Sequence, residues 1–329
     1  MNHHIAVYLL LAAATFFTEI VASQPTSTPA KSPQIIALEL EIFEARSFAL
    51  ALRKSASKVD SYTWIGTMYN EVDIPTHKCY ALGVLLGFSP YVQHLRFQRG
   101  NVPIAKDSNH AQDLRVQAQS LDNFISVVEY VAKLPSGQRN ITWNLDCSGQ
   151  HGISQSLFIK ESESAFFNIV DEGRGLKILG AIEPGFSARL RFTLQQFPNV
   201  KYVALGSGGG SISEALAAGR MIRFMGLRTT IWSDCYSACP LVFMGGTERI
   251  IYSPYPSLGF HQIYTTRGPL PLNSPVYSQV RSYIQEMGID DSSIIAAMAQ
   301  AGPMDMNMIN GADSTLCNTR VATWVQRVC

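Results

Sequence analysis

The chain has 329 residues, 47% of them hydrophobic and only 16% charged, with a net charge of +1 at pH 7. That length and composition suit one or two ordered domains with a substantial apolar core. The near-neutral balance gives no electrostatic reason to expect nucleic acid or an acidic partner, and the sequence has no long basic run, heptad array or fixed-period repeat.

Ile5 to Phe17 is an apolar run of signal-core length, and Val21-Ala22-Ser23 offers small residues for cleavage before Gln24. Residues 1–23 are expected to be an export signal, with a periplasmic or secreted mature protein. An uncleaved membrane anchor is the competing reading. A span needs about 20 predominantly apolar residues, and Glu19 interrupts this one. Residues 24–33 are rich in Pro, Ser and Thr and read as a linker. Ile35, Leu38, Ile42, Ala45, Ala49 and Leu52 recur at helical spacing, which predicts a helix over 34–54. From Trp64 to Val102 the pattern is mixed, with Pro75, Pro90 and Pro103 as breaks. A second helix over 111–133 should stop before Leu134-Pro135-Ser136-Gly137. Region 34–150 is thus mainly helical and carries no catalytic constellation.

Residues 151–329 change texture. Strands are expected at Phe166–Val170 and Leu176–Ile182 around a Glu172–Gly175 turn, then a helix from Pro184 to Gln195. A strand over Val200–Leu205 feeds a glycine-rich loop. Ile212, Leu216, Gly219 and Ile222 line a following helix that Gly226 ends, and Leu227–Trp232 is the next strand. Such alternation implies a largely parallel α/β core.

Three segments carry chemistry. Gly208-Gly209-Gly210 lies between a strand and a helix, where backbone amides can meet a phosphate or an oxyanion. It matches neither a Walker loop nor a dinucleotide fingerprint. Ser237 follows Ser233 and Asp234, either of which would cap a buried helix over Ala238–Met244, so Ser237 is expected in its first turn. His261 ends the strand-like run Ser257–Phe260, and histidine is the usual base near neutral pH.

All six cysteines follow the cleavage site, which favours disulfides over free thiols. Cys317 with Cys329 would staple the carboxyl terminus, and Cys79 with Cys147 would tie the amino-terminal region. Cys235 and Cys239 sit at i,i+4, where helical geometry only marginally permits a bridge. No CxxC pair or histidine cluster suggests a metal, and no cofactor is expected.

In their order, these segments resemble the ClpP-like serine proteases of the ClpP/crotonase superfamily, more closely their exported relatives. Leu205–Ala215 is similar to the family's Ser-Pro-Gly-Gly segment, Asp234–Cys239 to its nucleophile segment and Leu258–Gln262 to its histidine segment. The resemblance spans about 165–315 and implies an α/β core of repeated β-β-α units. It implies Ser237 as nucleophile and His261 as base, with an oxyanion hole from the amides of Gly209 or Gly210 and of Ala238. Asp305 is implied as the third triad member, ahead of Asp290, Asp291 and Asp313. Gly208 stands where the family has proline, which would loosen the loop. A peptide or protein substrate is implied, and a homo-oligomer is allowed. Ile263–Met287, Pro-rich at its start, offers no clear helix for a ring, and no ATPase partner is expected in an exported compartment. The rival readings are a catalytically inactive binding or scaffolding protein with this fold, and a crotonase-type acyl-CoA enzyme.

Overall fold

Two apolar cores organise the chain in the computed structural model, which describes residues 31–59, 73–159, 165–252, 256–310, 313–326 and 328–329. The expected signal, most of the linker and Trp64 lie outside the described residues. Pro33–Cys329 form one compact unit.

The first core belongs to five helices: α1 (Pro33–Ala56), α2 (Asp73–Leu85), α3 (Ser89–Val92), α4 (Ser108–Ala132) and α5 (Ser136–Asp146). The apolar spacing read from the sequence is what builds it. Leu38, Ala45, Ala49 and Leu52 of α1 are buried with Leu114, Ala118 and Phe124 of α4. Asp107 caps α4, its carboxylate accepting the His110 amide at 2.8 Å. Two prolines act differently from expectation. Pro75 sits in the first turn of α2, where a missing N–H leaves no hydrogen bond unmade. Pro135 stops α4 and then serves as the N-cap residue of α5, a helix the sequence pattern did not suggest. Cys79 of α2 is bridged to Cys147, the residue after α5.

The second core packs helices on a mixed sheet. Its elements are β1 (Phe166–Val170), β2 (Gly175–Leu179), α6 (Phe186–Gln196), β3 (Tyr202–Ser207), α7 (Ile212–Phe224), β4 (Arg228–Tyr236), α8 (Cys239–Met244), β5 (Arg249–Ile251), β6 (Leu258–Phe260), β7 (Tyr264–Thr265), β8 (Gly268–Pro269), α9 (Pro275–Glu286), α10 (Asp291–Ala299), β9 (Asn307–Ile309), α11 (Thr315–Asn318) and β10 (Trp324–Val325). The strand order is β1-β2-β3-β4-β5-β10. The β1–β2 pair is antiparallel; the rest of that path is parallel. A β-β-α succession occurs at β1-β2-α6, after which strands and helices alternate singly through α8.

Strand β4 forks the sheet. Its start pairs with β5 and its end with β6, which in turn holds β9 antiparallel. Residues alternate between faces, so Leu176, Ile178, Val203, Leu205 and Ile231 meet the helices of the second core. On the other face α5 lays Ile141 and Leu145 against Leu179.

Three expectations are corrected. First, β4 runs on to Tyr236, so Ser233 and Asp234 are strand residues rather than helix caps, and α8 begins only at Cys239. Their buried polar partners, described below, make the extended form the satisfied one. Second, Cys235 and Cys239 are therefore not a turn apart on one helix. They bracket a tight turn that brings their Cα atoms to 5.2 Å, which permits their bridge. Third, Ile263–Met287 does contain a helix, α9, capped by Ser274 and started by Pro275, with Tyr277, Val280, Tyr283 and Ile284 buried at helical spacing. Cys317 and Cys329 are also bridged.

Candidate active site

The β4–α8 turn presents Ser237. Its φ of +59° is in the left-handed region, which a β-carbon disfavours by roughly 1–2 kcal/mol. Several contacts hold it there. The Ser237 amide donates to the Gly259 carbonyl at 2.9 Å, and the Cys235–Cys239 disulfide closes the turn around it. A Cβ on Gly209 would collide with the Ser237 side chain, so only glycine lets the loop approach this closely.

The glycine loop joins β3 to α7. It is pinned to Ile182, whose amide donates to the Gly209 carbonyl at 2.8 Å and whose carbonyl accepts the Ser211 amide at 2.7 Å. Gly210 has φ +137°, and a Cβ there would strike the Ile182 carbonyl. The two glycine amides are not equivalent. Gly209 N–H donates to its neighbour Ser207 Oγ at 3.1 Å, whereas Gly210 N–H has no partner among the described residues. The same holds for Ala238 N–H. Both line the same cavity as Ser237, so of the expected donors Gly210 and Ala238 are the free pair.

His261 follows β6 directly. Its Nδ1 donates to the Gln262 carbonyl at 2.8 Å, because a carbonyl can only accept. That bond fixes the tautomer and leaves Nε2 with its lone pair. Burial pushes the imidazole below its usual pKa, with the Gln262 carbonyl opposing the shift. The ring is thus neutral at pH 7 and is able to take a proton.

Asp305 lines the same cavity, exposed in the Gly302–Met306 turn. No hydrogen bond joins it to His261, and none joins Ser237 Oγ to the imidazole. The structure brings all three to one cavity without linking them. Asp290 and Asp291 lie elsewhere: Asp290 caps α10, and Asp291 pairs with Arg281 at 3.1 Å.

The cavity is about 1170 Å³. Leu241, Ile263, Met298 and Met306 contribute from the sheet portion, while Ile141, Leu145 and Phe158 contribute from the helical portion. The helical region therefore supplies one wall, a role with no motif to announce it.

A buried polar network locks that wall to β4, the strand that leads to Ser237. Asp146, fully buried at the end of α5, accepts from Lys78 Nζ at 2.8 Å, Ser233 Oγ at 3.0 Å and the Asp234 amide at 3.1 Å. Asp234 accepts from the Ser257 amide at 2.7 Å and from the Tyr236 hydroxyl. Burial, with the neighbouring Asp146 charge adding to it, raises the Asp234 pKa to about 6. Asp234 thereby ties the Ser237 strand to the segment leading into His261.

No metal cluster is present among the described residues. No protein-family model matches the chain, and no curated protein matches it. Among solved structures it is similar to that of a point mutant of ClpP1 from Listeria monocytogenes, at 13% identity and a TM-score of 0.37, covering 46% of this chain and 90% of that one.

Proposed function

We propose that this protein is an exported serine hydrolase acting on peptides through an acyl-enzyme on Ser237. The observation that carries the reading is the turn itself: a serine held at positive φ between strand and helix, with two unpartnered amides and a neutral histidine lining its cavity. In this reading Ser237 Oγ attacks the substrate carbonyl while His261 Nε2 takes its proton. Gly210 and Ala238 amides receive the oxyanion, His261 returns the proton to the amine as the C–N bond breaks, and water then hydrolyses the Ser237 ester. The Gln262 carbonyl holds the tautomer, the task a carboxylate performs in a full triad. A carbonyl dipole stabilises an imidazolium less than a charge does, so a slow enzyme is expected unless Asp305 moves onto the ring. Losing the carboxylate of a triad lowers turnover by about 10⁴-fold.

Three disulfides suit an oxidising compartment, and among the described residues no helix is long and apolar enough to cross a membrane. The disulfides accord with export.

The second reading, an inactive binding or scaffolding protein with this fold, is favoured by the unlinked Ser237, His261 and Asp305. A quenched peptide carrying Leu and Met residues separates the two. Hydrolysis by the wild type that Ser237→Ala and His261→Ala each reduce at least 100-fold supports the enzyme. Equal background rates for all three proteins favour the binding protein.

A further inference from the structure

Away from the Ser237 cavity, the sheet face that α5 leaves uncovered holds a second cavity of about 740 Å³, within the size range of small-molecule sites. Its floor is the Lys177, Ala204, Thr230 and Ile250 part of one transverse row of the sheet. Strand register aligns Asn168, Lys177, Ala204, Thr230 and Ile250 across β1, β2, β3, β4 and β5. Paired residues share a face, and this row lies opposite the one that builds the core. Aromatic rings of Tyr130, Tyr202, Trp232 and Tyr252 form the walls, and Ala204 leaves the middle of the floor low.

Lys177 is the unusual member. Its residue is only 7% exposed, and its ammonium makes one hydrogen bond, to the Tyr130 hydroxyl at 3.0 Å. It lies 5.1 Å from the Trp232 ring centroid. No carboxylate among the described residues pairs with it. The other charges lining the cavity are already matched: Asp171 with Arg174 at 2.8 Å, and Arg228 with Glu248 at 3.5 Å. A buried ammonium without a counter-ion is an uncommon burden, since such charges are normally paired. Desolvation lowers its pKa accordingly.

A second polar atom of the floor, Thr230 Oγ1, is buried with no hydrogen-bond partner among the described residues. Together the floor offers an ammonium, which can only donate, and a hydroxyl whose hydrogen is unused. What such a set lacks is acceptors, and a carboxylate supplies up to four lone pairs with the missing negative charge.

We propose that this cavity binds a flat organic acid, its carboxylate on Lys177 and Thr230 and its body between the Trp232 and Tyr252 rings. The site is independent of the hydrolase reading, being built on different residues of a different cavity.

Calorimetry with 2-naphthoate and its neutral analogue 2-naphthamide tests the proposal on the folded, oxidised protein. Wild type should bind the acid at least tenfold more tightly than the amide. Lys177→Met keeps the apolar stem and should erase that preference while retaining the thermal transition. Should Lys177→Met fail to fold, Thr230→Val carries the same test and should weaken naphthoate several-fold with little effect on the amide. Tyr252→Ala should weaken both ligands. Ser237→Ala should leave both affinities unchanged. Equal affinity of wild type for acid and amide would overturn the proposal, as would no binding of naphthoate at millimolar concentration. An undiminished preference in folded Lys177→Met or Thr230→Val, or loss of binding in Ser237→Ala, would overturn it equally.

Discussion

Ser237 and Gly210 show how single backbone angles set up the site. At φ +59° a serine is strained, and glycine at that position would be relaxed. Glycine also raises the entropy of the unfolded chain, so Ser237→Gly should raise stability by only about 1 kcal/mol or less, measured by urea titration, while removing any activity. Gly210→Ala should do the reverse. Its Cβ would meet the Ile182 carbonyl, so a loss of about 1–3 kcal/mol and of activity together is expected. The His261 environment sets a pH dependence. Burial favours the neutral ring, so its activity limb should fall only as pH drops below the ordinary imidazole value of 6.5. A pH–rate profile whose acid limb lies above 6.5 would contradict the assignment of His261 as base.

At the scale of elements, the β4–α8 turn and helix α5 work as one device. Asp146 ends α5 and meets Lys78, Ser233 and the Asp234 amide with both carboxylate oxygens, so its change takes a fully buried charge and three hydrogen-bond partners out of one network. Asp146→Asn should therefore be destabilising by about 3–5 kcal/mol, read from the shift of the urea midpoint. The same elements show what could be read in advance. Helices α1 and α4, strands β1 to β3 and the order glycine loop, Ser237, His261 follow from apolar periodicity and turn residues, which are local signals. The end of β4 was not legible. Ser233 and Asp234 look like helix caps because their side chains usually satisfy local amides, but here Asp146 and Ser257, 87 and 23 residues away in sequence, take that role. Helix α5 was hidden for a similar reason, since Pro135 ends one helix and begins another. The Gln262 carbonyl as histidine partner is a backbone contact that no side-chain motif encodes.

Across the whole molecule, stability should carry the mark of the Asp234–Asp146 pair. The folded state holds a proton on Asp234 up to about pH 6, whereas an unfolded aspartate releases it near 3.8. Between those values the folded state binds more protons, so this group's contribution to stability falls as pH rises, by on the order of 3 kcal/mol in all. Asp234→Asn keeps an acceptor for the Ser257 amide and removes the titration. Its melting temperature relative to wild type should climb between pH 4 and pH 6.5 and stay level above. A constant difference across that range would show that Asp234 is not protonated in the fold. The Cys79–Cys147 bridge spans 68 residues of the helical portion, and its loss should lower stability by about 4 kcal/mol, loosening the wall of the Ser237 cavity with it.

The central claim, that Ser237 is a nucleophile activated within this fold, is tested most directly by fluorophosphonate labelling of the oxidised protein followed by peptide mass mapping. A single adduct on Ser237, slowed by His261→Ala and absent from Ser237→Ala, is the expected result. A folded wild type that takes up no label, or takes it equally after Ser237→Ala, would contradict it.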